Sequence, residues 1–253
     1  METTCSLRDL PEVPASKPKP HRGAIQVYEA LRDDILWLRM APGTAIDEVA
    51  LANRFEISRT PIREALMLLA GDSLVVLLPN RTSIVPPLSL HNMGEYMDMY
   101  LLLSRAVIRG LILNFHAVDR DALQSRLAEL LELLERPPGE SALRADLALR
   151  HWLGDLAKNT FQNRYYRQIL DAGIRSKILH FFPNSTPADL AAMRISWQCL
   201  VDAILRHDAT AADRIVTQMI LAENEIILRS LHPKFGQELA LSPPPSVKVP
   251  SNA

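Results

Sequence analysis

The stretch Phe55-Glu-Ile-Ser-Arg-Thr-Pro-Ile-Arg-Glu-Ala-Leu66 constrains the fold more than any other. Ser58 stands where a side-chain oxygen accepts a hydrogen bond from the free N–H groups of a helix's first turn, and Pro61 falls inside that turn, where its missing N–H costs little. Ile62, Ala65, Leu66 and Leu69 then recur at helical spacing and form one apolar stripe, while Arg59, Thr60, Arg63 and Met67 fall on another face. One face packs, and the other presents arginines to an outside partner. Upstream, residues 47–54 have the length of a short helix, and Glu56-Ile57-Ser58 that of the turn in a helix-turn-helix. Downstream, residues 74–78 and 82–85 are β-branched, apolar runs joined by Pro79-Asn80-Arg81 and predict a hairpin. Two readings follow from spacing: a winged helix-turn-helix that inserts a recognition helix into DNA, or an ordinary helical hairpin with a solvated Arg/Glu face.

With 253 residues the chain exceeds the usual size of one core, which predicts a small domain followed by a larger one. Only 9 glycines, with many Leu, Ala and Arg, argue for a mostly helical chain. No apolar run is long and uncharged enough to span a bilayer, and the N-terminus lacks a basic-then-apolar signal, so the expected location is the cytoplasm, with no membrane partner. Cys5 and Cys199 are too few for a cysteine metal site. The net charge is -1, and residues 24–87 hold six Arg against eight Asp plus Glu, so a broad basic patch is absent. Binding to nucleic acid then rests on a few arginines at the recognition face and on a dimer that doubles their contacts.

In chain order, residues 1–22 carry Pro11, Pro14, Pro18 and Pro20 and are expected to form a disordered arm, either a solvated tail or a brush for phosphates through Lys17, Lys19, His21 and Arg22. The first helix should show Tyr28, Leu31, Ile35 and Leu38 on one face and end before Pro42-Gly43, with Arg32 off that stripe and in reach of a phosphate. Residues 23–87 form the first domain, ending in the stiff linker Pro86-Pro87. Helices are predicted at about 90–115, 118–135, 140–159, 162–181, 187–207 and 209–231, within a second domain over 88–232. Residues 233–253 read as a disordered tail. The fold class is mainly α, a three-helix winged domain followed by an all-α bundle of six to seven helices.

Four separated segments resemble, in order and spacing, the DNA-binding domain of the GntR family of bacterial transcription regulators. They are Ala41-Pro-Gly-Thr, Asp47-Glu-Val-Ala-Leu-Ala-Asn-Arg-Phe, Ile57-Ser-Arg-Thr-Pro-Ile-Arg-Glu-Ala-Leu and Leu78-Pro-Asn-Arg81. The resemblance implies that Ser58, Arg59, Thr60 and Arg63 enter the major groove and that Asn80 and Arg81, at the wing tip, approach the minor groove. Thr82 stands where the family usually has glycine, and a β-branched residue resists positive φ, so the wing turn is expected to differ.

The second region resembles the all-helical effector domain of the family's FadR branch. The shared features are its six-helix length, Asn163-Arg-Tyr-Tyr after the third helix, and Asp202-Ala-Ile-Leu-Arg-His-Asp-Ala-Thr-Ala-Ala-Asp near the end. The resemblance implies a domain that dimerises and encloses a small-molecule pocket. Many members of the branch also hold a metal there with one carboxylate and three histidines, the first two spaced Asp-x-x-x-His. This sequence departs from that pattern. The first pair falls on Arg150 and Gly154, or on Leu147 and His151; the later histidine positions fall on Trp197 and Ala222. Asp146 precedes His151 by five residues, about 140° around a helix, and does not share a metal with it without distortion. An Arg and a Glu common in the branch are replaced by Tyr100 and Ser104. The expectation is therefore no metal and no cofactor, with Tyr100, Arg150, Trp197 and His151 as candidate effector contacts. Tyr100 and Trp197 also suit plain core filling, and His151 with Asp155, four residues apart, reads either as a surface pair or as a remnant metal site.

The combined expectation is a homodimeric, ligand-responsive repressor or activator that binds an inverted-repeat, double-stranded DNA operator and a small-molecule effector such as an organic acid. Two rivals stay open: a helical metal-dependent enzyme with an N-terminal docking domain, and a DNA-binding dimer without effector. Against the enzyme, the sequence has no two-His-plus-carboxylate spacing, no Gly-rich phosphate loop and no nucleophile set beside a base.

Overall fold

The computed structural model describes residues 22–79, 82–88, 92–136 and 139–231. The expected arm and tail, and the wing-tip residues Asn80 and Arg81, lie outside the described residues. The chain divides into two compact units at Pro87/Leu88.

The first unit contains α1 (Arg22–Leu36), β1 (Ala45–Ile46), α2 (Glu48–Phe55), α3 (Arg59–Gly71), β2 (Val76–Leu77) and β3 (Ser83–Ile84). Helix α1 packs along α3, so that Ala24, Val27, Leu31, Ile35 and Leu36 close over Ile62, Ala65, Leu66 and Leu69. The expected α1 face is thus rotated. Tyr28 is half-buried and its hydroxyl donates to Asp72, while Leu38 lies past the helix end with φ at 57°. Leu38 N–H reaches back to the Ile35 carbonyl, and Arg39 bonds Asp33 and Asp34, folding the chain back over the last turn.

The strands run antiparallel in the order β1-β3-β2. Ala45 pairs with Ile84 on one side and Val76 pairs with Ile84 on the other. The hairpin is shorter than residues 74–78 and 82–85 suggested, because Leu74 and Val75 are drawn into the core and Leu74 N–H bonds the Leu69 carbonyl at 2.9 Å. A two-residue strand such as β1 carries no legible alternation.

The second unit contains α4 (Met93–Asn114), α5 (Arg120–Leu133), α6 (Glu140–Leu156), α7 (Thr160–Ser176), a π-turn (Lys177–Phe181), a 3-10 turn (Phe182–Asn184), α8 (Pro187–Leu205) and α9 (Ala209–Leu231). Helix α4 lies against α6, α7 and α9, and α5 packs on α6 and α8. Starts follow capping chemistry: Asn159 accepts from Gln162 N–H, and Thr186 and Asp189 form a reciprocal capping box ahead of α8. The long helix expected over 162–181 ends instead at Ser176, and the wider π-turn carries both Lys177 and Phe181 into the interior. Among the described residues, no helix is long and apolar enough to cross a membrane.

Close approach of α6 and α7 occurs at Gly154, where an added Cβ would collide with Asn163 Oδ1 and stand 3.2 Å from the Tyr166 ring. Asn163 is tethered, donating to Asp155 at 2.7 Å. Overpacking of about 1–3 kcal/mol outweighs the roughly 1 kcal/mol that alanine gains over glycine in helix propensity. Gly154→Ala is therefore expected to lower stability in urea unfolding despite its better propensity. The same crowding means that Gly154, one of the two positions on which the resemblance can place the first metal-binding histidine, has no room for a side chain.

Candidate nucleic-acid interface and interior site

Helix α2 ends at Glu56 in the left-handed region (φ 54°), with its N–H on the Ala52 and Asn53 carbonyls, and the chain then enters α3. Ser58 occupies the N-cap with extended backbone (φ -69°, ψ 167°), but its side chain makes no cap hydrogen bond. The expected capping contact is thus absent, and the residue sits exposed at the front of α3. Arg59, Thr60, Arg63 and Met67 are exposed as well, and opposite them the apolar stripe is closed against α1. Arg63 Nε donates to Glu48 Oε2 at 2.9 Å. Between α3 and the hairpin runs a groove of about 300 Å³ bordered by Arg63, Met67, Leu77 and Thr82. Arg32 is half-buried on α1.

In the second unit, three of the four residues singled out as effector contacts converge. Arg150 is 2 % exposed, and its guanidinium carbon lies 5.0 Å from the Trp197 ring centroid and 5.8 Å from that of Tyr100, both rings fully buried. Arg150 Nε donates to Asp146 Oδ2 at 2.9 Å, one helical turn back, and its Nη2 to Glu223 Oε1 at 2.7 Å, on α9. Lys177 Nζ lies 3.0 Å from Glu223 Oε2 and 3.4 Å from Asp146 Oδ2. Two cations and two carboxylates thus face one another in the interior, each nine-tenths or more buried. Tyr100 Oη donates to Glu223 Oε2 at 3.4 Å. Burial alone pushes the Asp146 carboxyl up, but Arg150 and Lys177 outweigh it and hold it below the usual carboxylate range. Burial raises the Tyr100 hydroxyl well above its ordinary value. Trp197 Nε1 and Asp146 Oδ1 are buried without a hydrogen-bond partner in the protein. Beside Glu223, Phe181, Met193, Ser196, Met219 and Ile226 line a space of about 70 Å³.

His151 does not join this group. It is half-buried and acts on the charge of Asp155, whose carboxylate accepts from Arg167 at 2.8 Å and from Asn163 at 2.7 Å. The alternative His151–Asp155 metal pair therefore competes with an arginine for its carboxylate. The interior set is no better suited to a metal ion: Arg150 and Lys177 repel a cation, and no imidazole is among the residues gathered there. Among the described residues, no group of three or more His, Cys, Asp and Glu is arranged to hold one.

Sequence reasoning passed over Asp146 as a member of this set, and Lys177 and Glu223 altogether. A signal existed, because Glu223 interrupts the α9 stripe of Val216, Met219, Ile220, Ile226 and Ile227, and Asp146 stands between Leu143 and Leu147 on α6. A charge on a core-facing stripe implies a buried partner.

The chain matches the family model described as bacterial regulatory proteins, gntR family, over residues 24–85, and the FCD domain over residues 95–222. It is 42% identical over 202 residues to the HTH-type transcriptional repressor RspR of Escherichia coli (strain K12), across 80% of this chain and 87% of that protein. The gluconate operon transcriptional repressor of Bacillus subtilis (strain 168) is 31% identical over 117 residues, 46% of each chain. Among solved structures, E. coli McbR/YncC has the same fold at TM-score 0.72 and 18% identity, covering 83% of this chain and 98% of that one.

Proposed function

The chain belongs to the gntR family of bacterial regulatory proteins and carries an FCD domain, and from this premise we propose how it reads DNA and which ligand class it answers to. It is a ligand-responsive, DNA-binding transcription regulator. Its operator is an inverted repeat, bound by a homodimer that places one α3 in the major groove of each half-site, with Ser58, Arg59, Thr60 and Arg63 toward the bases or phosphates, Arg32 toward a phosphate, and Asn80 and Arg81 at the minor groove. The observation that carries this reading is the division of α3 between a stripe closed on α1 and an exposed face bearing two arginines and a threonine. Relatives named as repressors favour repression over activation. Selection from a randomised duplex library by the full-length protein should enrich two half-sites related by inversion. Enrichment of no sequence would sink the reading.

The effector is a small organic acid. Its anionic group takes the place of the Glu223 carboxylate on Arg150 and Lys177, beneath the rings of Tyr100 and Trp197, and the indole N–H left over at Trp197 is satisfied by a ligand oxygen. The space of about 70 Å³ beside Glu223 is well below the roughly 300–1,000 Å³ typical of ligand pockets, so binding requires Glu223 to leave. Such a ligand shifts operator affinity only through its different affinity for the two arrangements. A thermal-shift screen of organic acids, sugar acids including gluconate, and acyl-CoA compounds tests this; an active acid should raise the melting temperature and change operator affinity together. The second reading, a DNA-binding dimer without effector, is favoured by the interior's being filled with its own ion pairs, and a screen without hits would select it. Because the donor set does not suit a cation, EDTA is expected to alter neither melting temperature nor operator affinity, as read by melting and gel-shift titrations.

A further inference from the structure

Arg63 is tied down by a residue of another helix. Glu48, its partner, is the first residue of α2, where Asp47 caps the helix by accepting from Val49 N–H at 2.7 Å and Ala50 N–H at 3.2 Å. A carboxylate is favoured at that helix end by the macrodipole. The Glu48 side chain is 20% accessible and that of Arg63 51%, so the pair is anchored on the α2 side and open on the other. Because Nε donates to Glu48, the side-on edge of the guanidinium is engaged. The tip, where Nη1 and Nη2 each contribute one of two parallel N–H bonds, is the edge that remains. Guanine offers O6 and N7 on its major-groove edge, two acceptors matched to such a fork.

We propose that Glu48 is a positioning residue that determines specificity: it holds Arg63 end-on toward a guanine and, by matching its charge, keeps it from engaging phosphates at any sequence. The proposal rests on the reading of α3 as the DNA-contacting helix. An unanchored arginine must lose its rotamer freedom on binding, whereas one already held by a carboxylate gives up less. A lone cation on the DNA-facing surface also adds a phosphate contact and its counterion release, which are blind to sequence.

The test uses the full-length protein and the duplex that the wild type enriches from a randomised library. Affinities are measured at several salt concentrations for that duplex, for the same duplex with one G·C pair per half-site replaced by A·T, and for an unrelated duplex. Glu48→Ala is expected to reduce discrimination between the first two by about tenfold, a change of about 1.4 kcal/mol. It should tighten binding to the unrelated duplex and steepen the salt dependence by about 0.9 per added phosphate contact. Glu48→Gln keeps an acceptor for Nε without the charge, so it should recover part of the discrimination while its binding to the unrelated duplex stays tight. Equal weakening on all three duplexes, with a lowered melting temperature, would show Glu48 to be structural support and overturn the assignment; so would unchanged discrimination in both variants. If the wild type enriches no sequence, the DNA reading itself fails. If Arg63→Ala loses the operator while Glu48→Ala discriminates normally, the role of Glu48 alone is lost.

Discussion

Glu223→Ala is expected to destabilise the helical unit by about 3–5 kcal/mol, the range for removing one partner from a buried ion pair. The carboxylate bridges Arg150 and Lys177 and receives the Tyr100 hydroxyl, so its loss leaves two interior cations facing Asp146 alone. All four charged groups are nine-tenths or more buried, so the two cations have no carboxylate from solvent to replace it. Urea unfolding of the full-length protein measures the loss. A change under about 1 kcal/mol would mean that the cations relax to solvent without unfolding the helices. Replacing all four charged residues by apolar side chains of similar volume should by contrast be roughly neutral, because the set also sheds its desolvation cost. Acid gives an independent check. Arg150 and Lys177 hold Asp146 below its unfolded value of about 3.9, so its contribution to stability is present above about pH 4 and is lost as pH falls through the folded value. Asp146→Asn should flatten that part of the acid-unfolding curve.

Arg63→Ala should abolish specific operator binding while leaving the fold intact. A bidentate arginine–guanine contact is worth about 1–3 kcal/mol, and a homodimer makes it twice, so the loss is about 2–6 kcal/mol, or roughly 30-fold to 10⁴-fold in affinity. The melting temperature should barely move, because the Arg63 side chain is half exposed and its surface pair with Glu48 contributes little to stability. Arg59→Ala should act in the same direction. Gel shifts at fixed salt, on operator and on unrelated DNA, separate lost recognition from lost charge. Unchanged operator affinity in both variants would remove α3 from the interface.

The sequence made the helices of both units legible through apolar spacing, and the faces of α3 followed because Ile62, Ala65, Leu66 and Leu69 leave Arg59, Thr60, Arg63 and Met67 no place inside. What escaped were features that periodicity does not encode. Strand β1 has two residues, and α1 stops where Arg39 pulls on Asp33 and Asp34. The N-cap side chain of α3 has one acceptable donor fewer than usual, because Pro61 at the third helical position carries no N–H, and Ser58 makes no cap bond although its backbone is extended as a cap requires. The π-turn inside the expected 162–181 helix depends on where Lys177 finds its carboxylates, and those lie 31 and 46 residues away in the chain. The interior site was half visible: Tyr100, Arg150 and Trp197 came from departures at matched positions, whereas the charge balance that holds Arg150 inside required knowing that α9 lies against α4.

That balance has a consequence for how such a chain drifts over generations. Asp146, Arg150, Lys177 and Glu223 come from α6, the π-turn and α9, and their interior is neutral only as a set. Any single substitution that removes a charge strands another, so a descendant loses or reverses these charges only by exchanging cation and carboxylate together, across elements up to 77 positions apart in the sequence. Among relatives these four positions should therefore covary as pairs of opposite sign, and a relative with a neutral residue at the place of Glu223 should also have given up one of the two cations.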